Sequence, residues 1–283
     1  MLRNVKTYHR PTTVEDAVSL VQTNANAAYL GGGAWLTAQG DPRLEVAVDL
    51  QDLGIDVLEG DIEAVRIGAM ATLQAIIDHD DAGKLANGVL AKAAGLTRSR
   101  NLREQGTLGG TLIVAGAADP LTTVLLVLDS EIFYADPTGH SAPFASFVAY
   151  RDRLIKACAL ITEVRVKRPH ARSAATYEVV GRSPKDKPIV GAAAYVEVEE
   201  GLAANVRLAV GGAADNPVRL LKAEHLLKDT LLSQTDIDAA LRPALAQLDP
   251  IGDFRGSPEY RLEMAQVLSR RALLSAWEKA RNR

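Results

Sequence analysis

Two glycine-rich segments constrain this chain more than any other feature of its sequence. The first, AYLGGGAWLTAQGD at 28–41, contains three consecutive glycines between two apolar runs. The second, QGTLGGT at 105–111, contains an adjacent pair before a further apolar run. Consecutive glycines cost backbone entropy on folding, so each segment is expected either to form a turn with positive φ or to lie with bare backbone against a ligand. A short glycine motif alone does not decide between these two.

Length and composition limit the classes of protein to consider. The chain has 283 residues, of which 47% are hydrophobic and 24% charged, so we expect a globular protein of more than one domain. A net charge of -3 offers no basic surface for nucleic acid. The longest apolar runs are far shorter than the roughly 20 residues of a membrane-spanning helix, and no secretory signal opens the chain. We therefore expect a cytoplasmic protein with no transmembrane segment and no nucleic-acid partner.

The cysteine and histidine content argues against a metal centre. Cys158 is the only cysteine, so an internal disulfide and an iron–sulfur cluster of the usual type are excluded. It stands in the alternating run KACALITEVRV and is expected to be a small buried hydrophobic residue. The five histidines lack ligand spacing, and no phosphate-loop lysine is present. We predict no metal site and no catalytic residue; an enzyme of this kind would take its chemistry from an organic cofactor.

Capping residues and periodicity predict the elements of the first 172 residues. Thr13 and Thr72 are predicted N-caps of amphipathic helices, and Asp119 before Pro120 is the predicted cap of a buried helix. Strands are predicted near 27–30, 45–50, 64–69, 131–135 and 158–166. The segment 97–120, which contains the second glycine pair, is predicted to be one long loop.

The pattern changes at about residue 173. Alternating strands form a predicted meander with a turn at Glu200 and Gly201, and nearly all of the remainder is predicted helix. We therefore predict an α+β fold in three parts: a small α/β unit at 1–57, a larger α/β unit at 58–172, and an antiparallel sheet with helices at 173–283.

The order of the motifs resembles a known family. The segments YHRPTTVEDAVSLV, YLGGGAWL, VRIGAMATLQAI, QGTLGGT, AADPLTTVLLVLD, LITEVRV, PIVGAAAYVEV and YRLEMAQVLSRRAL are similar, in this order, to the flavin-binding medium subunit of molybdenum hydroxylases. This group includes bacterial carbon monoxide dehydrogenase and xanthine dehydrogenase. The likeness covers nearly the entire chain, and its specificity lies in the order and spacing of the motifs rather than in any one of them.

The resemblance implies an FAD site between the first two parts, with 1–57 and 58–172 as two FAD-binding subdomains. The implied contacts of the two loops are Gly31, Gly32, Gly33, Ala34, Trp35 and Leu36 from the first and Thr107, Leu108, Gly109, Gly110 and Thr111 from the second. Asp119 is the nearest match to an acidic residue that contacts the flavin in relatives, with a plain helix cap as the alternative. Leu160 matches an apolar position that packs on the flavin, with sheet core as the alternative.

The sequence departs from the family pattern at four positions. Ala34 and Trp35 replace a small polar or acidic residue, Thr111 replaces an asparagine, and Glu178 lies near a position that is often lysine in eukaryotic relatives. These changes remove hydrogen-bond donors or alter charge near the cofactor, whereas backbone contacts survive any side-chain change. Trp35 is expected either to stack on an aromatic ring or to be a buried packing residue.

The resemblance implies electron transfer as the function. In that family a molybdopterin subunit oxidises the substrate, an iron–sulfur subunit carries electrons through two [2Fe–2S] clusters, and the FAD of the medium subunit passes them to an external acceptor. A heteromeric complex with both subunits is therefore expected. Two alternatives remain: a non-redox scaffold subunit with weakened or lost FAD binding, and a self-sufficient flavin oxidoreductase.

Overall fold

Three β-sheets organise the chain, of which the computed structural model describes residues 4–97, 99–136, 138–183 and 186–283. The first sheet is parallel, in the order β1-β3-β2. Its elements are β1 (Thr7–His9), α1 (Val14–Thr23), β2 (Ala27–Leu30), α2 (Leu36–Gln39) and β3 (Val46–Asp49). The Thr13 hydroxyl accepts a hydrogen bond from the amide of Asp16, which confirms the predicted cap of α1. No sequence pattern had predicted β1.

The second sheet is antiparallel, in the order β4-β5-β8-β6-β7. Its elements are β4 (Leu58–Gly60), β5 (Ala64–Gly68), α3 (Leu73–Asp78), α4 (Asp80–Thr97), α5 (Arg100–Gln105), α6 (Leu108–Ile113), α7 (Pro120–Val127), β6 (Glu131–Ala135), β7 (Gly139–Pro143), α8 (Phe144–Lys156) and β8 (Leu160–Lys167). The predicted caps Thr72 and Asp119 are confirmed.

The prediction of one long loop over 97–120 is wrong, because two short helices, α5 and α6, lie within it. Helix α6 contains two glycines in six residues, so intrinsic propensity disfavours it. It forms because the amides of Leu108 and Gly109 donate to the carbonyls of Ala71 and Ala69, at 2.9 and 2.8 Å. These bonds join residues far apart in the sequence, so no local sequence pattern predicts them.

The third sheet is antiparallel, in the order β12-β11-β10-β9. Its elements are β9 (Ser173–Val180), β10 (Val190–Glu199), β11 (Leu202–Gly211), β12 (Val218–Arg219), α9 (Leu221–Leu227), α10 (Gln234–Leu245) and α11 (Pro258–Arg281). The predicted turn is confirmed, since Glu200 and Gly201 have φ of 49° and 82°.

Both faces of the third sheet are buried. Ala194 and Val196 of β10 pack with the C-terminal helices, whereas the alternate residues Ala193 and Tyr195 pack with the helices of the second sheet. This alternation follows from the two-residue period of a strand. The α+β prediction is confirmed, while the three domain boundaries remain a prediction because the sheets share core residues. None of the helices in the described part of the chain has the length and apolar character needed to cross a bilayer.

Arg261 on α11 fixes the end of the third sheet. The side chain is 4% exposed, and its Nη1 donates to the carbonyls of Ile189 and Gly212 at 2.8 and 3.0 Å. Its Nη2 lies 2.7 Å from Oδ1 of Asp253. The amide of Gly212 in turn donates to the carbonyl of Ala117 at 2.6 Å. Arg261 therefore holds the strand ends that contact the segment leading into α7.

Candidate cofactor-binding cleft

A cleft of about 310 Å³ lies between the first and second sheets. This volume is at the lower end of the range for small-molecule sites, roughly 300–1,000 Å³. One wall is formed by β2 and the segment that follows it, a second by the segment from Gln105 to Val114, and a third by residues 158–161. The two glycine-rich segments, far apart in the sequence, therefore line one cavity.

The glycines at 31–33 allow the first loop to touch the second. A Cβ on Gly32 would overlap the carbonyl oxygen of Gln105 and lie 2.6 Å from its carbonyl carbon. A Cβ on Gly31 would lie 3.1 Å from Oγ1 of Thr107. Gly33 has a φ of 74°, a conformation that favours glycine. The expectation of positive φ or a bare surface for ligand is therefore incomplete, because Gly32 is required by close packing between the loops.

The first loop carries free hydrogen-bond donors. Among the residues that the structure describes, no acceptor binds the backbone amides of Gly31, Gly32, Gly33, Ala34 and Trp35. All five residues line the cleft. Backbone amides need partners, and successive amides in a turn form a concavity that binds anions. The first loop therefore presents a row of donors of the kind that binds anions.

The second loop differs from the first in this respect. The amides of Leu108 and Gly109 donate to Ala71 and Ala69, and the amide of Gly110 donates to the hydroxyl of its own N-cap, Thr107, at 3.2 Å. The amides of residues 108–110 are thus engaged within the protein and do not face a ligand in the cleft. The second loop forms a wall of the cleft and supports the first loop.

Eleven of the thirteen predicted site residues line the cleft, namely Gly31, Gly32, Gly33, Ala34, Trp35, Leu36, Thr107, Gly109, Gly110, Thr111 and Leu160. Two do not. Leu108 is 1% exposed and belongs to the core of the second sheet. Asp119 caps α7. Whether each lining residue contacts a cofactor remains a prediction.

Asp119 performs the function of a helix cap. Its Oδ1 accepts hydrogen bonds from the amide and the hydroxyl of Thr122, both at 2.8 Å. Loss of solvation raises the pKa of the Asp119 carboxyl, while the bonds from Thr122 and the charge of Arg151 oppose this shift. The guanidinium of Arg151 donates to the side chain of Asn216 at 2.9 Å, which links α8 to the third sheet.

Replacing Asp119 by asparagine is expected to change how stability depends on pH. A carboxyl whose folded-state pKa is raised stabilises the fold most at pH below its unfolded pKa of about 3.9, and this contribution is lost as pH rises through the folded-state pKa. Asparagine caps a helix equally well and does not titrate. The wild type should therefore lose stability relative to Asp119→Asn as pH rises from about 4 through the raised folded-state pKa of Asp119.

Urea unfolding followed by circular dichroism measures this difference. Asp119→Ala is the companion variant: neither alanine nor asparagine titrates, so loss of the cap should make Asp119→Ala about 1 kcal/mol less stable than Asp119→Asn at every pH. Parallel pH profiles for the wild type and Asp119→Asn would contradict the argument.

Three further sequence expectations are corrected by the structure. Trp35 is 42% exposed on the cleft wall, so the buried packing alternative is wrong. Cys158 is only partly buried and precedes β8 with a φ of 56°, and its carbonyl accepts a hydrogen bond from the hydroxyl of Tyr29. Glu178 lies 4.0 Å from the Lys92 ammonium and is not among the residues that form the cleft wall.

Several lining residues were missed by sequence reasoning. Met70, Gln105 and Val114 line the cleft, as does the apolar pair Ala159 and Ile161 beside Leu160. Gln105 stands at the start of the quoted second segment, but only its contact with Gly32 makes it important. The remaining residues carry no distinctive chemistry in the sequence, so proximity in the fold is their only signal.

Comparisons with known proteins agree with this architecture. Residues 3–169 match the family described as FAD binding domain in molybdopterin dehydrogenase, and residues 175–276 match the CO dehydrogenase flavoprotein C-terminal domain. The carbon monoxide dehydrogenase medium chain of Afipia carboxidovorans is 30% identical, over 97% of this chain and 98% of that relative. The nicotine 6-hydroxylase medium subunit of Paenarthrobacter nicotinovorans is 30% identical over 95% and 96%. Carbon monoxide dehydrogenase from Hydrogenophaga pseudoflava superposes with a TM-score of 0.91 at 25% identity, covering 99% of both chains.

Proposed function

The chain belongs to the FAD-binding medium subunits of the molybdenum hydroxylase family, and on that premise we propose that it passes electrons from the [2Fe–2S] clusters of a partner subunit through FAD to an external acceptor. The observation that carries the proposal is the row of free amides at 31–35 on the wall of the cleft. An electron carrier must retain its cofactor through many turnovers, and these amides supply a site for its diphosphate.

The residues of the first loop fit FAD despite their departures from the family pattern. Ala34 and Trp35 offer no side-chain hydroxyl or carboxylate, but their main-chain N–H groups remain available to a phosphate oxygen. Thr111 is 5% exposed and lies in α6 of the second loop, so its replacement of asparagine removes no amide of the first loop. These observations favour retained FAD over a scaffold that has lost it.

The chain's own residues bind, orient and shield the cofactor. Bound FAD supplies the two-electron chemistry of the complex. The free amides hold the diphosphate, and an apolar wall that includes Ile113, Val114 and Ile161 keeps water from the ring system.

The source of the electrons lies outside this chain. Cys158 is the only cysteine in the sequence, so the chain cannot hold a cluster of its own. Electrons must therefore arrive from a docked subunit that carries clusters. Similar proteins are named as medium chains or medium subunits, and by analogy we propose a complex with an iron–sulfur subunit and a molybdopterin subunit.

Anaerobic flavin absorbance tests this proposal. The chain is purified alone and in complex with co-expressed neighbouring subunits, both loaded equally with FAD, and then mixed with the reducing substrate of the complex. We expect bleaching of the flavin only in the assembled complex. Bleaching of the isolated chain would favour the self-sufficient oxidoreductase, and a colourless complex that oxidises its substrate normally would favour the scaffold.

A further inference from the structure

Trp35 exposes a large aromatic surface at the cleft without a partner for it. Its side chain is 42% exposed, and within the described part of the chain no aromatic ring or cation stacks on the indole. Trp277, the only other tryptophan, is 5% exposed, and the Arg281 guanidinium lies 5.4 Å from its ring centroid. An indole left open to water beside a cleft is a surface that a ligand ring would cover.

The position of Trp35 limits which ligand ring that is. Its amide is the last of the five free donors at 31–35, so the indole lies at one end of the row of amides proposed to bind the diphosphate. FAD carries an aromatic ring at each end of its diphosphate, adenine at one and the flavin at the other. The indole is therefore placed to meet one of the two rings.

The walls of the cleft differ in solvent exposure, and this difference indicates which ring, adenine or flavin, lies beside Trp35. Residues Ala159, Leu160 and Ile161 are 7%, 4% and 5% exposed and form an enclosed apolar wall. Such a wall suits the larger flavin ring, whose electron chemistry needs shielding from water. Residues 31–36 are all intermediate or exposed, and Trp35 itself is 42% exposed, so a ring tolerant of solvent would lie against this wall.

We propose that the indole of Trp35 stacks on the adenine ring of FAD and is the nucleotide-selecting residue of this cleft. The inference rests on the proposed function, because it needs FAD in this cavity. Stacking between a base and an aromatic side chain does not depend on specific hydrogen bonds to the base. Removing the aromatic side chain raises the dissociation constant about tenfold.

Binding measurements with three ligands test the proposal. The dissociation constants of FAD, ADP and FMN are measured by calorimetry for the FAD-free full-length chain and for Trp35→Ala and Trp35→Phe. We expect Trp35→Ala to weaken FAD and ADP about tenfold and to leave FMN unchanged, because FMN lacks adenine. Trp35→Phe should restore most of the affinity. Tyr150→Ala, which removes a 60% exposed aromatic residue away from the cleft, should change none of the three.

Tryptophan fluorescence gives a second readout. ADP should quench the emission of the wild type, in which Trp35 is the exposed emitter, and should not quench Trp35→Phe, in which only the buried Trp277 remains. Equal weakening of FMN and FAD in Trp35→Ala would place the indole on the flavin ring and overturn the proposal, as would unchanged ADP affinity. If the wild type fails to bind FAD, the proposed function falls as well; if Trp35→Ala binds FAD fully, only this inference falls.

Discussion

Replacing Gly32 by alanine is expected to strip FAD from the purified protein and to lower its unfolding temperature. The new Cβ would overlap the backbone carbonyl of Gln105, and no rotation of a side chain relieves that overlap. The first loop must therefore move away from the end of α5 and take its free amides with it. Overpacking of this kind costs about 1–3 kcal/mol, and each kcal/mol corresponds to roughly 2–4 °C in a protein of this size class.

The flavin-to-protein absorbance ratio and a thermal scan measure these two effects. Gly116→Ala is the matched control, since a Cβ on Gly116 meets nothing within 4 Å. It should retain both FAD and the wild-type unfolding temperature. Full flavin occupancy in Gly32→Ala would mean that the contact between the loops does not govern the cleft.

Replacing Arg261 by methionine is expected to produce the largest loss of stability among the changes considered. The guanidinium donates to buried carbonyls of Ile189 and Gly212 and pairs with Asp253. Methionine fills a similar volume but leaves the carbonyls of Ile189 and Gly212 without this donor. Unsatisfied buried acceptors and a broken ion pair together cost about 3–5 kcal/mol.

Urea unfolding measures this loss. Arg271→Met makes the same substitution at an exposed position of α11 and should change the free energy of unfolding by less than about 0.5 kcal/mol. Similar unfolding curves for the two variants would contradict the role assigned to Arg261.

Local signals in the sequence predicted local structure well. Thr13, Thr72 and Asp119 each cap a helix through a bond to a residue three positions later, so a short window contains the whole interaction. The turn at Glu200 and Gly201 was predictable for the same reason. Strand β1 was missed because it has three residues, and only its pairing with β3 defines it.

The cleft was predictable in outline but not in detail. The two glycine segments indicated which parts of the chain meet, yet nothing in the sequence distinguishes a glycine that faces a ligand from Gly32, which faces Gln105. The amides of the second loop are hydrogen-bonded and those of the first are free, because Ala69 and Ala71, which lie outside both motifs, supply acceptors to the second loop alone. The exposure of Trp35 likewise depends on the whole cavity rather than on its neighbours in the sequence.

The pairing of β5 with β8 has a consequence for synthesis of the chain. Val65 pairs with Val166, and all the helices from α3 to α8 lie between them in the sequence. Contacts of such high sequence separation form slowly. During synthesis, the second sheet has no central strand until the residues of β8 have left the ribosome. The third wall of the cleft, at 158–161, includes the first two residues of β8. The nascent chain therefore has no complete cavity until more than half of it has been made.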